Sequence, residues 1–332
     1  MLGPYEWAQT VRILWNLARF SREMNYFAAP LQKIPAELCS FAANGKFDYA
    51  EENHPHFRAT FPLDESATPL KNRPTVLFSG GGGDDGTGYY LLARHWASHG
   101  FVVLQPKHAD AYTRHFDATG HFLPAQRRTT WDVWGLALCE PRPWRARCED
   151  MSSLLDEVGD FDGRVDTSRI GVGGYSFGGH VACLLGGVRF RARGESFIAR
   201  DKRIKAIINL SSEGGVLAQP KNVWRSLEVP MLLLTGERDK TVWGEDYRAK
   251  MREVKCAPQS LIETRVIPGA NHFSFVGRLF EVIEDISKIH PADIAAQTVI
   301  FSIVKGATTK YWCEQLGATT ISLTRREELC LL

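Results

Sequence analysis

The chain has 332 residues, 44% of them hydrophobic, and a formal charge of +2. Such a length can bury one large core, and the near-neutral balance, with no long basic block, removes any global electrostatic case for nucleic acid. Seven cysteines without metal-ligand or paired spacing suit a reducing compartment, and the absence of a basic-then-apolar start or a span-length apolar run sets the expectation of a cytoplasmic protein without stable membrane insertion.

Residues 1–50 stand apart as an N-terminal helical extension. Trp7, Val11, Leu14, Trp15 and Ala18 recur at helical spacing, while Arg12, Arg19 and Arg22 fall elsewhere. A helix packed on the main domain is the plain reading; a lid or a membrane-surface helix are the alternatives. In residues 51–332, short apolar runs bounded by Gly, Pro or charge predict strands at 74–79, 101–105, 169–173, 206–210, 230–235 and 265–267. Helical patterns fall at 89–98, 147–158 and 178–185. Alternation of the two implies an α/β fold with a mostly parallel central sheet and helices on both faces. The stretch 110–144, with Trp131, Trp134 and Trp144, is long for a loop and is a candidate pocket wall; core packing of the tryptophans is the competing reading.

Gly174-Tyr175-Ser176-Phe177-Gly178 lies between a predicted strand and a predicted helix. A serine at a tight strand-to-helix turn adopts strained backbone geometry, and small residues two before and two after it prevent collisions. The helix N-terminus then offers positive dipole and N–H groups where an oxyanion would form. Ser176 is the candidate nucleophile. Asp239, in the polar turn after the strand 230–235, is the candidate acid, and His272, just beyond the strand 265–267, is the candidate base. This is the order Ser, Asp, His that a triad on such a sheet requires.

Acyl transfer also needs two N–H groups converging on the developing O⁻. Phe177, after the nucleophile, would supply one. The second would come from the glycine run at 80–83, with Gly82 first and Gly81 next. That run also contains G-x-G-x-x-G at Gly81, Gly83 and Gly86, a dinucleotide signature. The strand at 101–105 lacks the acid such a site wants for the ribose, and Asp84 and Asp85 would repel a pyrophosphate. The oxyanion reading is therefore preferred to a nicotinamide-dependent oxidoreductase. His180, on the helix leading away from the elbow, is read as a packing or hydrogen-bonding residue.

Phe78-Ser79-Gly80-Gly81-Gly82-Gly83, Ala93 through Val103, Arg147 with Asp150, Val165-Asp166 through Val172, the elbow with Phe177, and Gly269-Ala270-Asn271-His272-Phe273 resemble the carboxylesterases known as predicted dienelactone hydrolases and their relatives the platelet-activating-factor acetylhydrolases. The resemblance covers roughly residues 58 to 280. It implies an α/β-hydrolase fold, no metal or organic cofactor, and hydrolysis of a small-molecule ester through an acyl-enzyme. The chain departs from the pattern at three places. Gly80 stands where family members usually carry a histidine, and Ser176 where true dienelactone hydrolases carry a cysteine. The acetylhydrolase acid position corresponds to Leu210-Ser211-Ser212-Glu213, so Glu213 is the second-choice acid. The expectation is a serine carboxylic-ester hydrolase acting on a small to medium ester or lactone. A non-hydrolytic protein of the same fold, binding or isomerising a small molecule, is the alternative.

Overall fold

The structure is a computed structural model that describes residues 33–82, 84, 88–108, 141–158, 161–192, 195–212, 221–240, 246–275, 277 and 291–317. Its elements in chain order are α1 (Ala36–Ala42), β1 (Asp48–Asn53), β2 (Phe57–Leu63), β3 (Arg73–Ser79), α2 (Tyr90–Ser98), β4 (Val102–Pro106), α3 (Pro141–Glu157), β5 (Val165–Tyr175), α4 (Phe177–Leu185), β6 (Arg189–Ala192), β7 (Glu195–Ile198), β8 (Ile204–Leu210), β9 (Met231–Gly236), α5 (Tyr247–Val254), β10 (Ile262–Ile267) and α6 (Pro291–Leu316). Eight strands form one sheet in the order β1-β2-β4-β3-β5-β8-β9-β10, and β6 and β7 make a separate hairpin. From β4 to β10 all neighbours are parallel; only β1 with β2 and β2 with β4 run antiparallel. This is the α/β architecture the alternation of elements implied.

The central strands are apolar on both faces because both are covered. Leu77, Leu104, Val172, Ile207 and Leu233 point into one core with α3 and α4. Their neighbours Val76, Phe78, Val103, Ala206, Ile208, Leu232 and Leu234 point into the other, with α1, α2 and α6. Successive residues of a strand face opposite sides, so one uninterrupted apolar run feeds two cores. The helix after β3 packs on one face and the helix after β5 on the other, although β3 and β5 are adjacent. Such a reversal marks the carboxyl ends of these two strands as the place where ligands of open α/β sheets bind.

All six predicted strands and three predicted helices are present, with ends displaced by a few residues at most positions. Strand β5 starts at Val165 and helix α3 at Pro141, both several residues earlier than their patterns suggested. Four strands carry no buried-strand signature. The edge strand β1 reads Asp-Tyr-Ala-Glu-Glu-Asn, a charged composition that blunts an exposed edge. Pro62 interrupts β2 beyond Thr60, where the pairing with β4 ends, so no ladder bond to β4 is lost there. In the short hairpin β6–β7, Arg189, Arg191, Glu195, Ser196 and Ile198 are exposed. The expected helix in residues 1–32 and the stretch 109–140, with Trp131 and Trp134, lie outside the described residues; Trp144 belongs to the first turn of α3 and is fully buried.

Helix α6 closes the second core. Ala296, Ile300, Ile303, Val304, Ala307, Tyr311, Trp312 and Leu316 are buried along it. Trp96 on α2 donates from its indole N–H to Thr308 Oγ1 at 3.0 Å. Trp312 lies over Gly171 and Gly173 of β5; a Cβ at Gly171 would sit 2.5 Å from the indole. The glycines of β5 thus make the hollow that the tryptophan fills. Trp312→Ala should cost about 3–5 kcal/mol of unfolding free energy, measured by urea denaturation. A loss under about 1 kcal/mol would show that α6 does not hold this core.

Candidate active site

The elbow joins β5 to α4 at Ser176, which has φ 52° and ψ −120°, a left-handed backbone for a non-glycine residue. Its N–H donates to the Leu210 carbonyl at 2.9 Å, which fixes the turn on β8. A Cβ at Gly174 would lie 2.1 Å from the Gly178 carbonyl oxygen, and one at Gly178 would lie 2.1 Å from that of Ser79. Both positions therefore exclude every side chain.

His272 begins a short 3-10 turn after β10 and is buried with Ser176 and Asp239. Its Nε2 stands 3.1 Å from Ser176 Oγ, and its Nδ1 stands 3.0 Å from Asp239 Oδ1. Ser211 Oγ also lies 2.8 Å from Nδ1. A carboxylate facing Nδ1 requires the proton on that nitrogen, which leaves Nε2 to accept from the Ser176 hydroxyl. The chain from Ser176 through His272 to Asp239 thus joins all three residues that the sequence singled out. Glu213 lies outside the described residues.

The second carboxylate oxygen of Asp239 is fully engaged. Ser211 Oγ donates to Oδ2 at 2.5 Å, Thr235 Oγ1 at 2.8 Å and Lys250 Nζ at 2.6 Å. Burial opposes ionisation of Asp239, but the charge of Lys250 and the hydrogen bond and charge of His272 outweigh it and hold the carboxyl well below the usual carboxylate range. Ser211, at φ 51°, occupies the end of β8 and reaches both the acid and the histidine. None of Ser211, Thr235 and Lys250 was singled out from sequence as a partner of the acid. A lone Ser or Thr at a strand end carries no distinctive signal, and Lys250 sits in a run of charge that reads as solvated.

The glycine loop after β3 is held from beneath by Arg147 of α3, itself buried. Arg147 donates from Nη1 to the Gly80 carbonyl at 2.7 Å and from Nη2 to the Gly81 carbonyl at 3.0 Å, and its guanidinium lies 4.6 Å from the Phe177 ring centre. The carbonyl of a trans peptide and the N–H that follows it point in opposite directions. Anchoring the Gly80 carbonyl turns the Gly81 N–H to Tyr89, whose hydroxyl accepts it at 3.0 Å. Anchoring the Gly81 carbonyl turns the Gly82 N–H away from Arg147, where it has no hydrogen-bond partner among the described residues. Phe177, the first residue of α4, presents an N–H without an intrahelical acceptor. Of the two glycines considered, Gly82 keeps an available donor and Gly81 does not. At Gly80, where the esterases that the sequence resembles usually carry a histidine, the loop is braced by an arginine, backed in turn by Ser79, whose hydroxyl meets His108 Nε2 at 2.9 Å, while His108 Nδ1 meets Asp150 at 2.8 Å. Gly83 and Gly86 lie outside the described residues. Among the described residues no group of three His, Cys, Asp or Glu side chains is arranged to hold a metal ion.

No family model matches the chain, and no curated protein sequence matches it. Solved structures do. A dienelactone hydrolase-like promiscuous phosphotriesterase from metagenomic libraries superposes with a TM-score of 0.54 at 18% identity, over 82% of this chain and 100% of that one. A candidate dienelactone hydrolase from Klebsiella pneumoniae subsp. pneumoniae gives a TM-score of 0.51 at 15% identity, over 81% and 98%. The chain shares the α/β-hydrolase fold of these dienelactone hydrolase-like structures. Among the described residues no helix is long and apolar enough to cross a membrane.

His180 is fully buried against Trp144 and Trp224, with no hydrogen bond to either ring nitrogen, and burial pushes its pKa down to about 4. It packs rather than hydrogen-bonds. Between about pH 6.5 and pH 4 the unfolded chain binds a proton that the native state does not, so this residue costs stability as pH falls through that window, by about 3 kcal/mol in total. Urea denaturation at pH 7 and pH 4.5 should show a smaller acid-induced loss in His180→Leu than in the wild type; equal losses would mean that the buried imidazole is not the source.

Removal of Arg147 takes a charged donor from two carbonyls, leaving that of Gly81 only the Asp84 N–H at 3.2 Å. Arg147→Met should lower stability by about 2–5 kcal/mol, read from denaturant midpoints, and Arg147→Lys should recover only part of it because an ammonium cannot span both carbonyls in one plane. Full recovery by lysine would show that charge alone, not the two-pronged geometry, supports the loop.

Proposed function

We propose that the chain is a serine carboxylic-ester hydrolase that acts through an acyl-enzyme on a small to medium ester or lactone. The observation that carries this reading is the hydrogen-bonded chain from Ser176 Oγ through His272 to Asp239 at the end of a strained elbow. His272 Nε2 takes the proton of Ser176 as Oγ attacks the ester carbonyl. The C=O electron pair moves onto oxygen, and the oxyanion is held by the N–H groups of Phe177 and Gly82. Collapse expels the alcohol, which takes its proton from His272. Water then loses a proton to His272, attacks the acyl-serine, and releases the acid with Ser176 reprotonated. Throughout, Asp239 orients the imidazole and offsets its charge while His272 is protonated.

The proposed setting is cytoplasmic, in keeping with Cys148, Cys183, Cys256 and Cys313, none of which is joined in a disulfide among the described residues. Residues 51–332 are proposed as the hydrolase domain and the segment before them as an extension. The part of that segment in α1 packs against α6, with Leu38 beside Gly306.

Intact mass after treatment with a small fluorophosphonate should show one adduct on the wild type and none on Ser176→Ala. Ester turnover should fall by at least about 10³-fold in Ser176→Ala and His272→Gln. A panel graded by acyl length, with a phosphotriester included because one structural neighbour is described as a promiscuous phosphotriesterase, would rank substrate classes. A folded wild type that takes no adduct and cleaves no member of the panel would favour a non-hydrolytic binding or isomerising protein.

A further inference from the structure

Lys250 is a fully buried lysine that the proposed mechanism does not use, and its ammonium lies against the carboxylate that orients the histidine. It projects from α5, is 1% exposed, and donates to Asp239 Oδ2 at 2.6 Å. It also lies 3.3 Å from Ser211 Oγ and 3.4 Å from the Ser211 carbonyl. A buried ammonium is costly unless paired, and Asp239 is the only carboxylate within salt-bridge distance of it among the described residues. The same carboxylate holds His272 through its other oxygen. One negative charge is thus shared between the lysine ammonium and a residue that becomes a cation during the proposed reaction.

We propose that Lys250 is a positioning residue that keeps His272 neutral in the resting enzyme and so extends activity toward acid pH. This inference rests on the serine-hydrolase reading of the site. Its logic is charge balance in a buried cluster. With Lys250 present, Lys⁺, Asp⁻ and neutral His sum to zero, and a proton added to His272 leaves an uncompensated positive charge. Without it, the neutral arrangement of the same cluster is Asp⁻ with His⁺, in which Nε2 carries a proton and cannot accept one from Ser176. The surrounding groups fit this account. From β5 and the elbow His272 faces the Tyr175 ring, 5.0 Å away, and Ser176; from β8 it faces Ser211; from the turn after β9 it faces Asp239. Asp239 in turn faces Thr235 of β9 and Lys250 of α5. Among these only Asp239, Lys250 and His272 carry or acquire charge near neutral pH. Lys250 also fixes the carboxylate: with Ser211 and Thr235 it holds Oδ2, so that Oδ1 alone is turned to the imidazole.

The test follows the second-order rate of fluorophosphonate labelling at Ser176 against pH, in the wild type, Lys250→Met, Lys250→Gln and Lys250→Arg, with folding checked by circular dichroism at each pH. Glutamine keeps a donor to Asp239 without charge, and arginine keeps the charge. The neutral variants should retain a plateau rate within about tenfold of the wild type while the acid limb of the profile moves up by about one pH unit or more; Lys250→Arg should leave the limb in place. A purely structural lysine would lower the plateau or the melting temperature without moving the limb. An unmoved limb in whichever neutral variant folds would overturn the proposal, as would failure of both neutral variants to fold while the arginine variant does. A wild type that takes no label at any pH would instead defeat the serine-hydrolase reading itself.

Discussion

Backbone contact between the ends of β3 and β5 is the constraint on which the site depends. Gly178 lies so close to the Ser79 and Gly80 carbonyls that a methyl group there would stand 2.1 and 2.4 Å from them. The first turn of α4 is thereby pressed against the start of the glycine loop. The two peptide N–H groups proposed to hold the oxyanion belong to these two segments, one at Phe177 and one at Gly82. Their separation is set by main chain against main chain rather than by side chains that can rotate, which is the kind of preorganisation that costs nothing at the moment of reaction.

Polar groups then lock what the backbone positions. Arg147 spends its donors on the carbonyls of Gly80 and Gly81, and the geometry of the trans peptide passes that orientation on to the next N–H. On the other side of the elbow, Ser211, Thr235 and Lys250 saturate one oxygen of Asp239. In both places a buried charge is accompanied by several hydrogen bonds, the condition under which burial of an ion does not destabilise the fold outright. The strained φ angles of Ser176 and Ser211 sit at adjoining strand ends, β5 and β8, and are held by ladder-like bonds from their own N–H groups to Leu210 and Leu234.

Much of this was legible in the sequence because strands buried on both faces leave an unmistakable apolar run, and because Ser176, Asp239 and His272 each follow such a run. The elbow glycines could be read for the same reason: they answer a steric demand local to five residues. Lys250 could not. Arg248, Lys250 and Arg252 alternate along α5, and the outer two are exposed; nothing local separates the one that turns inward to a carboxylate eleven residues earlier. Arg147 showed itself only as part of a family resemblance, since its task depends on carbonyls 66 and 67 residues away in sequence. Strand β1 escaped notice because an edge strand satisfies a different demand from a central one, solubility rather than burial.

In the proposed reaction the two buried cations would act on opposite ends of the charge separation that acyl transfer creates. Arg147, behind the glycine loop and across the Phe177 ring, favours negative charge on the carbonyl oxygen, as does the N-terminus of α4. Lys250, beyond Asp239, disfavours positive charge on His272. If the proposed reaction holds, a site arranged in this way would stabilise the oxyanion strongly and the imidazolium less, so that proton transfer to His272 would be driven by the developing alkoxide rather than by a histidine already inclined to protonate. The arrangement suits a resting state in which Ser176 donates to a neutral Nε2, and it confines the full ionic state to the interval in which the oxyanion exists to balance it.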